Sequence, residues 1–296
     1  MNQGNNKDYI SFFKYLDHGF VGLIDAMPRE EGCGDNAIVD AARISYGMGT
    51  KKRSNDENLI RYLMRNNHTS PFEMVEFKFH LKMPIFVARQ HIRHRTASVN
   101  EMSGRYSIMS DEFYIPDIID IGVQSSDNKQ GRETENNKEI DWGENIQKKM
   151  KEITKKTYET YNDLIKENLA RELARTVLPV SNYTQMIWKI DLNNLLKYLK
   201  LRLDSHAQKE IRLMAELMLR SIEPFVPKTI KAFKDYHLNS IAFSSIELDI
   251  LKKGMNINDN LPKILEEAKE KLSKTELKEF LEKMKKLTYT DIFEKN

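Results

Sequence analysis

Cysteine is nearly absent: Cys33 stands alone in 296 residues, which excludes an intramolecular disulfide and a CxxC metal site. It lies in EEGCGD, a Gly-rich acidic turn with no adjacent base to make a thiolate, so a structural role is expected for it. Long hydrophobic runs are missing too. No stretch approaches the roughly 20 apolar residues of a membrane helix, and the opening MNQGNNKDYI lacks the apolar core of a signal peptide. The expected setting is the cytoplasm, with no membrane partner. Charge of one sign is not in excess: 47 Lys and Arg against 44 Asp and Glu leave +3, so anion binding has to be argued locally. With 40% hydrophobic and 31% charged residues the chain has a globular composition and enough length to bury a sizeable core.

Polar residues 1–17 read as an N-terminal tail, GFVGLIDAMP at 19–28 as a buried strand and 36–46 as a short helix. Ser54 and Glu57 have capping-box spacing ahead of LIRYLM, and Ser70-Pro71-Phe72-Glu73 repeats the device with proline at the first helical position. Val75, Phe77, Phe79, Leu81 and Met83 then alternate with Glu76, Lys78, His80 and Lys82, the period of a strand with one buried face. Pro84 opens the helical stretch IFVARQHIRHR, followed by a Ser/Asn/Gly-rich turn and a strand-like run, RYSIMSDEFYIP. Residues 118–145 show no period and are expected to form a polar surface insertion. An amphipathic helix over 143–177, a strand over 180–190 and a long helix from Asp191 follow, the last broken near Asp204 with Ser205 as a cap. Beyond about 240 the chain is Lys/Glu-rich with helical spacing. There is no internal repeat, and the irregular alternation predicts an α+β fold: a central antiparallel twisted sheet flanked by helices, with a helical C-terminal extension over 241–296.

The chemistry concentrates in Arg89-Gln90-His91-Ile92-Arg93-His94-Arg95, with five basic or potentially basic side chains in seven positions behind an apolar IFVA. Such density repels itself unless anions answer it. If helical throughout, it sets Arg89 with Arg93 and His91 with Arg95 on shared faces, paired forks for phosphate. Ser98 to Tyr106 then adds hydroxyls, a carboxylate, a permissive glycine and Arg105. A solvated basic face and a nucleic-acid patch are the competing readings; the apolar flanks and abrupt turn weigh against both. Further on, Arg202 sits in a run of leucines, where a charge needs a designated partner. Either it pairs with Asp204 or a similar carboxylate, or it is an electrophilic clamp for negative charge on a substrate ring.

Arg93-His94-Arg95, seven residues, then Ser103 matches the RHR-x7-S signature of flavin-dependent thymidylate synthases, and ARQHIRHRTASVNEMSGRYS resembles that family throughout. HTSPFE, EFYIP, ARELARTVLP and LRLDSHAQKEIR resemble it in the same order, so the likeness covers roughly 18–240. The resemblance implies a methyltransferase that converts dUMP to dTMP with FAD as cofactor, 5,10-methylenetetrahydrofolate as carbon donor and NADPH as reductant, with no cysteine nucleophile and no metal. It further implies a homotetramer with active sites shared between subunits. Gln90, His91, Ile92 and Arg93 would form one side of the dUMP pocket. Glu101, Met102, Ser103, Gly104 and Arg105 would reach it from a neighbouring chain, with Arg175 adding a contact. FAD would meet Ser70, Arg93, His94, Arg95, Glu101, Asp191, Leu192, Asn193 and Lys197. Arg202 matches the arginine thought to favour ionisation at uracil N3. Lys197 departs from the pattern, because the family places histidine or asparagine there and a lysine is a point charge. A flavoprotein reductase that has lost dUMP, or a nucleic-acid binder, would carry some of the same residues.

Overall fold

The computed structural model describes residues 9–44, 55–126, 131–133, 140–254 and 261–288. One compact unit ends at Leu238 and a second begins at Asn239. The first runs β1 (Ser11–Tyr15), β2 (Gly19–Met27), α1 (Cys33–Ile44), α2 (Asp56–Arg65), a 3₁₀ turn (Ser70–Met74), β3 (Glu76–Pro84), α3 (Ile85–His91) and β4 (Ser98–Glu101). It continues with β5 (Val123–Gln124), β6 (Arg132–Glu133), α4 (Ile140–Lys166), α5 (Arg171–Ala174), β7 (Tyr183–Asp191), α6 (Leu192–Arg202), α7 (Lys209–Ile222) and α8 (Pro227–Phe233). The second unit holds α9 (Ser245–Gly254), α10 (Leu261–Lys271) and α11 (Lys274–Thr288).

Five strands form one antiparallel sheet in the order β1-β2-β3-β7-β4, as the α+β expectation requires. Its centre is the alternating strand. Phe77, Phe79, Leu81 and Met83 of β3 point inward, with Phe79 in register between Leu23 of β2 and Trp188 of β7. Ile211, Met214, Ala215, Met218 and Ile222 form the buried stripe of α7, at three- and four-residue spacing. With Leu195 and Leu199 of α6 and Ile230 and Phe233 of α8 they close the core over that face. Each such side chain contributes roughly 1.5–3 kcal/mol on burial.

Several local expectations change. The supposed polar tail contains β1, whose Tyr15 is buried. Ser54 lies outside the described residues, and Asn55 caps α2 by accepting from Asn58 N. RYSIMSDEFYIP is not a strand: a turn at Ser103 to Ser107 leads to a single bridge, Phe113 to Asn182. Met109, Phe113 and Tyr114 are buried there, a spacing no strand produces. Conversely the Ser/Asn segment expected as a turn supplies β4, an edge strand whose four residues are all exposed. Ser205 does not cap α7; its carbonyl accepts from Arg212 Nη1, and Gln208 holds the N-cap position. The helix expected to begin at 143 starts at Ile140, inside the span expected to be insertion, and ends at Lys166.

A long-range cap fixes α8. Asp35, buried on α1, accepts from Lys228 N at 2.8 Å, Thr229 N at 3.0 Å and Thr229 Oγ1 at 2.6 Å, satisfying donors that a helix start leaves open. We expect Asp35→Ala to cost about 2 kcal/mol, read as a lower urea midpoint with an unchanged slope; an unchanged midpoint would contradict that role.

Candidate active site

The residues singled out in the sequence fall into two groups in one chain. The first gathers about α6. Asp191 caps that helix, accepting from Asn194 N at 2.9 Å and Asn194 Nδ2 at 2.7 Å. Leu192 is core, and Asn193 donates to Glu73 Oε1 at 3.1 Å. Leu192 N also donates to Val75 O. The start of α6 is thus laced to the 3₁₀ turn that Ser70 opens, 120 residues away by the Asn193–Glu73 bond. Ser70 and Lys197 are exposed. The helix is 11 residues, about 16 Å, and its far end carries Arg202.

Arg202 does not pair with Asp204. Asp204 turns to His206, 2.8 Å away, whereas Arg202 Nε donates to His94 Nε2 at 3.1 Å and Arg202 Nη2 to the Gln90 carbonyl at 3.0 Å. A guanidinium only donates, so His94 Nε2 must offer a lone pair and the imidazole must be neutral. Its surroundings agree: burial, and then the Arg202 charge, lower the His94 pKa to about 4. Gln90 is further held by its side-chain amide, which donates to Gln208 Oε1 at 2.5 Å.

α3 ends at His91 with Ile92 as its C-cap, so the shared faces imagined for Arg89 with Arg93 and His91 with Arg95 do not form. His91 instead turns inward. It is fully buried, its ring 4.3 Å from that of Trp188, and Nδ1 hydrogen-bonds the Tyr198 hydroxyl at 3.2 Å. Burial foremost, with the neighbouring His94 and Arg202 opposing a second proton there, lowers its pKa to about 3; burial pushes the Tyr198 phenol up. Ile92 lies against the core. The chain therefore reverses around two neutral histidines and leaves Arg89, Arg93 and Arg95 exposed. Among the described residues no carboxylate pairs with them. Three forks without a counterion suit phosphate groups, including the diphosphate of a dinucleotide such as FAD.

The second group sits at the sheet edge. Glu101 ends β4 and accepts from Thr184 Oγ1 at 2.7 Å, and Met102 N donates to Gln185 O. Ser103 Oγ accepts from Arg105 N at 3.3 Å, inside a turn. Gly104 is there because a Cβ would stand 2.9 Å from Met109 Sδ and 3.1 Å from Arg175 Cδ. That contact brings Arg175 beside the turn, while Arg105 Nε lies 3.4 Å from Glu172 Oε2. Met102 rests on a small second core of Met109, Tyr161 and Ala174. Cys33 begins α1 with Sγ 3.5 Å from Glu30 Oε2, and desolvation with that hydrogen bond pushes its thiol up, the opposite of activation. Sequence reasoning missed Gln208, Tyr198, Thr184 and Glu172 as partners. Gln208 stood in a quoted motif, but nothing in its spacing pointed to Gln90.

An antiparallel α+β fold with three exposed guanidiniums that meet no carboxylate among the described residues, beside an arginine bound to a neutral histidine, defines a class with a concentrated cationic site at the sheet. Comparison makes this particular. The sequence model described as thymidylate synthase complementing protein matches residues 23–228, ending before the second compact unit. A flavin-dependent thymidylate synthase of Dictyostelium discoideum is 48% identical over 263 residues, covering 87% of this chain and 85% of its own. That of Wolbachia pipientis wMel is 51% identical over 240 residues, covering 81% and 82%. The crystal structure of PolB, a UMP/dUMP methylase from Streptomyces cacaoi bound with 5-Br dUMP, superposes with a TM-score of 0.66 at 31% identity, over 76% of this chain and 98% of that one. The chain belongs to the thymidylate synthase complementing protein family.

Both histidines sit below their ordinary 6.5. Between that value and the folded pKa the unfolded chain binds more protons, so stability falls as pH drops through the window from about 6.5 toward about 4 and returns as pH rises. Imidazole nitrogen shifts should report both rings neutral at about pH 5.5; a protonated His94 there would contradict the hydrogen bond from Arg202.

Proposed function

We propose that this chain is a flavin-dependent thymidylate synthase that methylates dUMP to dTMP, with 5,10-methylenetetrahydrofolate as carbon donor and NADPH as reductant. The observation that carries the reading is Arg202, held by neutral His94 and the Gln90 carbonyl next to guanidiniums that have no carboxylate among the described residues. When bound, FAD would supply the hydride-transfer chemistry that links NADPH to the one-carbon unit.

The protein's own part is to bind, orient and stabilise charge. Arg93, Arg105 and Arg175 are assigned to the nucleotide phosphate, with Gln90, the Ile92 backbone, Met102, Ser103 and Gly104 framing the pyrimidine. His91 supports that wall from within, since its ring is buried. Ser103 binds substrate rather than attacking it: its hydroxyl meets Arg105 N and no base. Arg202 faces negative charge developing on the uracil ring, a task for a permanent cation fixed in advance. Ser70, His94, Arg95, Glu101, Asp191, Leu192, Asn193 and Lys197 are assigned to FAD, the buried or capping members through their backbone. Glu101 and Arg105, exposed at either end of the 101–105 segment, and Arg175 serve a neighbouring subunit's site in a homotetramer. We assign the chemistry to residues 18–240 and none to 241–296, place the enzyme in the cytoplasm, and give it no nucleic-acid partner.

The test is an absorbance spectrum of purified protein followed by a dTMP assay with dUMP, methylenetetrahydrofolate and NADPH. A flavin spectrum and dTMP formation are expected, and Arg202→Ala should lower turnover about a hundredfold or more with flavin content and melting temperature little changed. A colourless protein with steeply salt-dependent nucleic-acid binding would overturn the reading, as would NADPH oxidation indifferent to dUMP; full turnover in Arg202→Ala would remove that residue from the mechanism.

A further inference from the structure

No single residue of the polar segment 118–145 is given a role above, yet Asp120 and Arg132 reach the first turn of α7. Three consecutive residues there each take a different partner. Gln208 Oε1 accepts from Gln90 Nε2. Lys209 forms an ion pair with Asp120. Glu210, 1% exposed, accepts at Oε1 from Arg132 Nη1 and from the Tyr114 hydroxyl, both at 2.9 Å. Its backbone carbonyl accepts from the Tyr15 hydroxyl at 2.7 Å.

Among the described residues Arg132 is the one cation on that carboxylate. Burial pushes the Glu210 carboxyl up, but the Arg132 hydrogen bond and charge, with Tyr114, hold it below the ordinary carboxylate range. Among the described residues Glu210 Oε2 and Arg132 Nη2 are both buried without a hydrogen-bond partner, so the pair rests on the single bond through Nη1. A buried carboxylate stripped of its cation must find water or move. What would move is a helix start with no side-chain cap of its own, because the Gln208 amide is engaged with Gln90.

We infer that Arg132 is a positioning residue: through Glu210 it seats the first turn of α7, Gln208 then fixes Gln90, and the Gln90 carbonyl aims Arg202. This rests on the reading of Arg202 given above. It gives Arg132, on β6, a role in setting the geometry of a site it does not touch.

Two measurements test it. In ligand-free protein, Arg132→Lys keeps a charge but loses the fork, and amide exchange should quicken in the peptides carrying Gln208 and also in those carrying Gln90. Exchange that changes only in α7 and its contacts with 118–133 would overturn the inference, whatever the enzyme's activity. In the holoenzyme, Arg132→Lys and Gln208→Ala should each lower kcat about tenfold with KM for dUMP moved far less, and the double variant should be no slower than Gln208→Ala alone. Effects that multiply, or an unchanged kcat in Arg132→Lys, would show a merely structural residue. If Arg132→Lys does not fold, Arg132→Met with Glu210→Gln removes the charge together with its need for a partner. Near-normal kcat in that variant supports the inference, and a folded but slow variant contradicts it. Failure of the functional reading is distinguishable, because the wild-type chain itself would then make no dTMP.

Discussion

Like charge held at the end of a buried helix is the constraint around which this protein is organised. Two guanidiniums 4 Å apart repel by roughly 1 kcal/mol in water and several-fold more once water is displaced. Arg89, Arg93 and Arg95 are therefore tolerable while solvated, and an anion that displaced that solvent would relieve the repulsion. The sheet makes the arrangement possible. Pro84 ends β3 at the sheet and turns the chain directly into α3, whose Val87, Ala88 and His91 are buried. The apolar side of a seven-residue helix thus fixes where the charged side must go.

The second element is the pair of neutral histidines. His91 is held neutral by burial among Trp188 and Tyr198, and His94, edge-on to Tyr198 with ring centroids 4.7 Å apart, is neutral and accepts from Arg202. Had either carried a proton it would have added to the cationic cluster. Instead a charge-dense segment is tied to the hydrophobic core through aromatic rings, and Arg202, at the end of a helix capped by Asp191, inherits the rigidity of that core.

Legibility in the sequence followed periodicity. β3 was readable because Phe77, Phe79, Leu81 and Met83 alternate cleanly, and α7 because its buried residues keep helical spacing. β4 was not: all of its residues are exposed, so an edge strand leaves no alternation and its Ser and Asn content reads as a turn. The segment after it failed in the opposite sense, since Met109 and Phe113 are buried against Tyr161 and Tyr158 of α4, and Tyr114 against Phe86 and Glu210, by contacts that follow no period. The arginine cluster was visible by density alone. Its long-range partners were not, because Arg202 with His94, Gln90 with Gln208 and Arg132 with Glu210 are separated by 78 to 118 residues and leave no periodic trace.

The proposal that exposed guanidiniums grip a nucleotide phosphate is tested most directly by calorimetric titration of the flavin-loaded protein with dUMP and with deoxyuridine, which differ only in that group. The account predicts dUMP binding at least about a hundredfold tighter, the scale of two charge-assisted contacts, with the advantage shrinking as salt is added. Equal affinities for nucleotide and nucleoside would contradict it.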